Sequence, residues 1–331
     1  MDFDFSDDQE QLRDAVRKWV DKGYTFDRRR EITSAGGFDR AAYTELAELG
    51  LCGLYVSEDH GGMGMGPVEG MVVMEELGRG IVMEPIQQAL ISGAVLEGYA
   101  PEAVKTEWLP KIAGGEAIVV LAHQERKSRY NINKCDAQAQ QQDGQWQVSG
   151  TKSVVAVGDH ADAFLVPAMA AGKLALFLVA KGAKGAATSG YVTQDGARAA
   201  ELTLNQTPAS LVTLDGQTAL SHAVDIGIAS VCAEAVGVMD KTMAITVDYM
   251  NTRKQFNTTI ASFQALRHRV ADMKMQLELG RSMSYYASLK LNTPAAERHQ
   301  AMARAKYQLG NSMRFVGQQS VQLHGLSLIH I

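Results

Sequence analysis

Cysteine is scarce in this chain. Cys52, Cys135 and Cys232 are the three present in 331 residues, and no two of them form a C-x-x-C pair. That spacing excludes a cysteine zinc site and a disulfide framework, and it points to a reducing cytosol. Basic charge is also in deficit. Lys and Arg number 32 against 37 Asp and Glu, a formal net charge of −5. Such a balance gives no electrostatic case for binding nucleic acid or an anionic membrane surface. No stretch approaches about 18 uninterrupted apolar residues, so no membrane-spanning helix is expected. The acidic start, Asp2-Phe3-Asp4-Phe5-Ser6-Asp7, has neither a basic nor an apolar signal region. A secretory leader is therefore not expected, and the expected location is cytoplasmic.

What remains is an ordinary globular composition, 46% hydrophobic and 21% charged, long enough for two or three domains. Residues 1–118 read as helical. Ser6 suits an N-cap before Asp7 and Asp8, and Leu12, Val16, Trp19 and Val20 recur at helical spacing. A helix over about Phe38–Leu49 stops before Gly50, and Pro67 opens another after the loop Gly61–Gly66. Residues 119–217 change character. Short strand-like runs (Ile118–Leu121, Trp146–Val148, Val154–Val157, Phe164–Val166, Leu174–Val179, Glu201–Leu204, Ser210–Leu214) alternate with turn signals such as Asp143-Gly144. Gly182–Gly190 reads as the most flexible stretch. From 218 to 331 the pattern is helical again, with Leu266, Val270, Met273, Leu277 and Ala301, Ala305, Leu309, Ser312, Val316 as apolar stripes of an antiparallel bundle. The fold class expected is α+β, mostly α: a helical domain, a central antiparallel β-barrel-like domain, and an incomplete helical bundle.

The segment Arg253-Lys254-Gln255-Phe256-Asn257 falls between two long helical patterns. Taken alone it is a solvated Arg-Lys corner, although an Arg fork can also hold phosphate oxygens bidentately. Gly61–Gly66 does not form G-x-G-x-x-G after a strand, so it is no dinucleotide fingerprint, and a need for positive φ explains it.

Taken together with Phe263-Gln264, the Arg253 segment resembles the Arg-x-Gln-Phe-Gly…Phe-Gln signature of the acyl-CoA dehydrogenase family. Three other stretches carry the same resemblance. Gly50-Leu51-Cys52-Gly53-Leu54 through Gly61-Gly62 resembles Leu-Gly-Leu…Pro-Glu-x-x-Gly-Gly, with Ser57 in place of proline. Ser149-Gly150-Thr151-Lys152 resembles Asn-Gly-x-Lys, and Gln322-Leu323-His324-Gly325 resembles Gln-x-x-Gly-Gly. The resemblance implies FAD as cofactor, an acyl-CoA thioester as substrate, an electron-transfer flavoprotein as redox partner, and an oligomer, a tetramer by family habit. It implies that Arg253, Gln255, Phe256, Gln322 and Gly325 contact the adenosine end of FAD. It places Leu121, His123, Gln124, Val154 and Ala156 near the flavin ring, and Tyr130 near the acyl-CoA.

The likeness is uneven. Gln124 stands where the family has threonine, Arg126 replaces a proline, and Arg129-Tyr130 replaces Gly-Ser. Val154 and Ala156 replace a tryptophan and a threonine beside the flavin. The family's commoner catalytic glutamate lies beyond Gly325, and its rarer location corresponds to Gly227. Asp225 reads as a first-turn charge and Glu234 as a polar contact in the bundle, so no catalytic base is assigned. The last six residues, Leu326–Ile331, do not resemble the family and look like a translated sequencing adapter. A truncated chain with a non-native end is the expectation. Two functions stay open: a dehydrogenase, or a base-free small subunit of a heteromeric dehydrogenase. The start of the chain and Glu125–Asn131 resemble such subunits, including those acting on pimeloyl-CoA. A third, nucleic-acid binding on this fold, is disfavoured by the negative charge.

Overall fold

A computed structural model describes residues 5–128 and 130–325. The expected non-native end, Leu326–Ile331, lies outside the described residues, as does Arg129. Helices α1 (Asp7–Gly23), α2 (Phe26–Ser34), α3 (Arg40–Glu48), α4 (Pro67–Gly80), α5 (Ile86–Tyr99) and α6 (Glu102–Ala113) come first. Strands β1 (Val119–Leu121), β2 (Gln138–Gln142), β3 (Gln145–Ala156), β4 (Ala163–Ala170), β5 (Lys173–Ala180), β6 (Ala186–Val192) and β7 (Arg198–Thr213) follow. The chain closes with α7 (Gly216–Thr252), the short strands β8 (Lys254–Gln255) and β9 (Thr258–Thr259), then α8 (Gln264–Lys290) and α9 (Ala295–Leu323). The order helical, β, helical is as expected, and helix predominates.

Two compact units are distinguished, one of residues 1–23, 67–82 and 228–331, the other of 24–66 and 83–227. In the first, α1 starts in a reciprocal cap. The Gln9 N–H donates to Ser6 Oγ at 3.3 Å, and the Ser6 N–H donates to Gln9 Oε1 at 3.0 Å. Its buried Val16 and Val20 face α4, and Arg17 grips the buried Glu76 carboxylate with two bonds of 3.0 and 2.6 Å. Helix α4 crosses α7 closely because glycine meets backbone from both sides. A Cβ on Gly78 would stand 2.2 Å from the Glu234 carbonyl oxygen, and one on Gly237 would stand 1.8 Å from that of Glu75. Helices α8 and α9 pack along Met273, Leu277 and Gly280 against Ala301, Ala305 and Leu309. Helix α7 is long and apolar enough to cross a membrane by composition. It is a core helix, with 61% of its most apolar window buried inside the protein.

The second unit is built on a barrel. Strand β4 pairs β5 antiparallel along one edge and β1 and β2 in parallel along the other. The ladders β2–β3, β3–β7 and β7–β5 then close the ring, and β6 adds to β7. Phe164, Val166, Leu176, Phe177, Val148 and Leu202 are fully buried in this unit.

Several expected elements are extended or revised. Trp146–Val148 and Val154–Val157 lie on one strand, β3, apart from Val157, which follows its end; Glu201–Leu204 and Ser210–Thr213 share another, β7. Strands β2 and β6 were not foreseen, because Gln-Ala-Gln-Gln-Gln buries one alanine and β6 buries nothing fully. Both are held by ladder bonds to a long neighbour rather than by side chains. The stretch read as flexible, Gly182–Gly190, thus contains the first part of β6. Asp225 is not a first-turn charge: α7 begins at Gly216, so Asp225 lies in its third turn, 3% exposed.

Candidate functional site

Within the barrel unit, β1 ends at Leu121, whose N–H donates to the Gln88 side chain of α5 at 2.9 Å. The chain then runs through His123 and Gln124 and is tied to β3. The Ser153 N–H donates to the Gln124 carbonyl at 2.8 Å. That bond brings the His123–Gln124 and Val154–Ala156 segments together. Beneath it lies a pair the sequence reading had not singled out. Lys152 Nζ, fully buried, meets Glu125 Oε1 at 2.6 Å. The carboxylate also accepts from the N–H groups of Asp136 and Ala137, at 2.7 and 3.1 Å. Burial works to raise the Glu125 pKa, but the Lys152 hydrogen bond and these N–H groups outweigh it and hold the carboxylate below its ordinary range. The available signal was a Glu and a Lys in adjoining motifs, each placed at a β segment by its neighbours.

His123 Nδ1 is buried and without a hydrogen-bond partner. Burial, then the nearby Lys152 charge, lowers the imidazole pKa to about 4, so His123 is neutral near pH 7. Val154 is the other unusual residue. It has φ +54°, is 53% exposed, and lies where the β3–β7 register slips between Lys152 and Val155. A β-branched residue in that region is strained by about 1–3 kcal/mol, and the bulge is what holds it there. Ala156 ends β3 opposite Ala199. Tyr130, the expected substrate contact, is 96% exposed on the loop after Ser128.

Within the helical unit, Arg253 follows the end of α7. Lys254–Gln255 and Thr258–Thr259 pair as a hairpin, with Phe256 at φ +51° and Asn257 at φ +63°. Two consecutive left-handed residues are the mark of a type I′ turn, and asparagine tolerates that region where the family has glycine. The turn lifts the Phe256 ring into solvent, 88% exposed, edge-on to Phe263 at 6.2 Å. The Arg253 backbone is fixed by N–H donation to Tyr249 and by acceptance from Ile260, while its side chain is exposed. Tyr249 stacks on His324 at 4.4 Å. That contact carries Gln322 and Gly325, at the end of α9, to the same end of the unit as the Arg253 hairpin. The five residues expected at the adenosine end of FAD are therefore gathered at one end.

These residues suit FAD unequally. Arg253, Gln255 and Phe256 offer a cation, an amide and a ring face, which match a diphosphate and an adenine. On the barrel side, Val154 and Ala156 offer no polar side-chain atom. Backbone groups and the unpartnered His123 nitrogen are what remains for a polar ring edge. No carboxylate stands at position 227, where the Gly227 carbonyl accepts from Gln87 at 2.9 Å. No cluster of metal-binding side chains occurs among the described residues.

Comparison with known proteins bears on the family and the fold. Residues 6–116 match the description "Acyl-CoA dehydrogenase, N-terminal domain", and residues 215–329 match "Acyl-CoA dehydrogenase, C-terminal domain". The chain is 29% identical to acyl-CoA dehydrogenase FadE27 of Mycobacterium tuberculosis, over 82% of this chain and 72% of that protein. It is 26% identical to mitochondrial isovaleryl-CoA dehydrogenase of Pongo abelii, over 85% and 71%. Among solved structures, the ChsE4-ChsE5 complex of Mycobacterium tuberculosis superposes with a TM-score of 0.89 at 26% identity, covering 98% of this chain and 88% of that one. Butyryl-CoA dehydrogenase of Megasphaera elsdenii, 23% identical with a TM-score of 0.88 over 98% and 90%, shares the fold.

Proposed function

The chain belongs to the acyl-CoA dehydrogenase family, a family of FAD-dependent oxidoreductases, and from that premise we propose that it takes part in α,β-dehydrogenation of an acyl-CoA thioester in an oligomer. The observation that carries this reading is the Arg253–Phe256 hairpin set beside Gln322 and Gly325. Electron-transfer flavoprotein as acceptor, a cytoplasmic location, and domains divided at 118/119 and 217/218 belong to the same proposal. Bound FAD supplies the acceptor for the hydride leaving the acyl β carbon. Arg253 would hold its diphosphate by charge, and Phe256 would offer a ring face to its base. Glu125 and Lys152 tie the segment after β1 to β3 just ahead of the Val154 bulge, and backbone N–H groups there would face the flavin ring. The neutral His123 brings no extra positive charge to that edge. The carboxylate that removes the α proton is assigned to no described residue.

A second reading is favoured by Val154, Ala156 and Gly227. In it this chain is the base-free small subunit of a heteromeric dehydrogenase, lending its Arg253 hairpin to FAD beside a catalytic chain. The ChsE4-ChsE5 complex supports that arrangement by analogy. Purified protein, titrated with FAD and then with acyl-CoA thioesters, tests both. Flavin bleaching by a thioester supports the first. FAD binding without bleaching, reversed when a homologous catalytic chain is added, supports the second. A chain that binds no FAD, alone or with a partner, defeats both.

A further inference from the structure

Cys135 lies against a second nucleophile. Its Sγ is 3.5 Å from Lys152 Nζ, 3.4 Å from Glu125 Oε1 and 3.3 Å from the Pro167 carbonyl oxygen. The β2–β3 ladder begins at Gln138 opposite Ser149, three residues along the chain from each partner, and so fixes the backbone of the pair. The two segments approach closely here: a Cβ on Gly150 would stand 2.7 Å from that of Ala137. Lys152 is fully buried, and its ammonium is held between the Glu125 carboxylate and the sulfur. Access separates this thiol from the other two. Cys135 is part-buried, whereas Cys52 and Cys232 are buried, which pushes their thiols up to about 11 and about 12. Burial raises Cys135 too, but the adjoining Lys152 charge works against it. The thiolate is the form that reacts with peroxide, and a thiol that solvent reaches beside a cation supplies it first.

We propose that Cys135 and Lys152 form a peroxide-sensitive pair that closes into a covalent sulfenamide bridge. Hydrogen peroxide is the oxidant. The sulfur attacks one peroxide oxygen, the O–O bond breaks, and Cys135 becomes a sulfenic acid with release of one water. The sulfur has lost two electrons and the peroxide has gained them. Lys152 then passes a proton to Glu125 along their 2.6 Å hydrogen bond, which frees the amine lone pair. That lone pair attacks the sulfur, and the S–O bond breaks. The departing hydroxide takes the second amine proton as water, leaving Cys135 Sγ bonded to Lys152 Nζ through S–NH. The flexible four-carbon lysine stem closes the distance. With its cation gone, burial keeps the proton on Glu125, so no unpaired charge is left inside. Lys152 is also, after burial, what keeps a proton off His123. Bridging removes that repulsion and makes the imidazole easier to protonate. The oxidation state of Cys135 is thereby coupled to the charge of the segment after β1. The bridge does not require bound FAD.

Mass spectrometry of the full chain after hydrogen peroxide treatment, whole and after trypsin, tests it. The wild-type chain is expected to become about 2 Da lighter, with two hydrogens lost and no oxygen kept. Trypsin cuts after Lys134, Lys152 and Lys173. Bridging removes the cation that trypsin needs at Lys152, so one peptide spanning 135–173 should replace the two peptides 135–152 and 153–173. Dithiothreitol should restore both the mass and the cut, because a thiol displaces the amine from sulfur. Cys135→Ser should show neither change. Lys152→Arg keeps a cation beside Glu125 but has no amine to close the bridge, so its sulfenic acid should persist and be labelled by dimedone at Cys135. Circular dichroism confirms that each variant is folded. If Lys152→Arg fails to fold, the wild-type map and Cys135→Ser still decide. The proposal is overturned if Cys135 stays a thiol or goes on to sulfinic acid while Lys152 remains cleavable. It is equally overturned if the cut at Lys152 is lost in Cys135→Ser, or if dithiothreitol fails to restore it in wild type.

Discussion

At the scale of single residues, the candidate site rests on one cation and one neutral imidazole. Replacing Arg253 by Gln removes charge-assisted hydrogen bonds to a diphosphate, each worth about 1.5–3 kcal/mol, so the FAD dissociation constant should rise by about 10–100-fold. Arg253→Lys keeps a point charge but loses the planar fork and should recover only part of it. Quenching of flavin fluorescence measures both, and an unchanged affinity in Arg253→Gln would remove Arg253 from the site. His123 gives a pH signature. Its folded pKa is lowered to about 4 from an ordinary 6.5. The folded state therefore disfavours its proton, and the stability it contributes is present above pH 6.5 and is lost as pH falls toward 4. Over that whole window the loss is at most about 3 kcal/mol. His123→Phe keeps a ring and removes the titration, so FAD-free variant protein should lose less stability than wild type between pH 6.5 and 5. Denaturant melts at the two pH values check it. Glu125 does not confuse the result, because its lowered pKa acts below 4.5.

At the scale of elements, the structure is legible in the sequence wherever a side chain announces the backbone. Ser6, Pro67, Gly50 and Asp143-Gly144 each named a helix end or a turn, and each stands there. The polar strands β2 and β6 were invisible because alternation of buried and exposed side chains is nearly absent from them. The join of two short runs into the 12-residue β3 was hidden by its two register slips, which break the alternation at Gly150 and Val154. The same bulge explains what the sequence could not convey about the barrel-side candidate residues. Val154 reads as an ordinary strand valine, yet it is held at positive φ. Glycine there relieves the Cβ strain, so Val154→Gly should cost little or stabilise by up to about 1 kcal/mol, where a regular strand position would lose about that much. The ion pair beneath it makes the opposite prediction. Lys152→Met leaves the buried Glu125 without its cation and should destabilise by about 3–5 kcal/mol. Urea melts of the two variants separate the effects, and a strongly destabilised Val154→Gly would contradict the strain assigned to the bulge.

At the scale of the molecule, the two groups of site residues belong to different compact units, and the sequence could name both without relating them. The adenosine-side group was legible as one motif plus a distant one, and it took the Tyr249–His324 stack to show that α7 and α9 end together. The ring-side group was legible only as departures from a family pattern. Ligand linkage tests the adenosine-side group in the intact chain. FAD binds the folded chain and not the unfolded one, so it must add RT ln(1 + [FAD]/Kd), about 2.7 kcal/mol at a hundredfold excess over Kd. For a chain of this size that is an upward shift of several degrees in the melting temperature, at about 2–4 °C for each kcal/mol. In Arg253→Gln the same FAD concentration should give almost no shift, while the FAD-free melting temperature stays within about a degree or two of wild type, because the Arg253 side chain is exposed. A hairpin that serves only to turn the chain would behave otherwise: the variant's FAD-free melt would fall and its FAD shift would remain. Differential scanning fluorimetry across an FAD series therefore distinguishes a nucleotide grip from a structural corner, without any substrate in the cuvette.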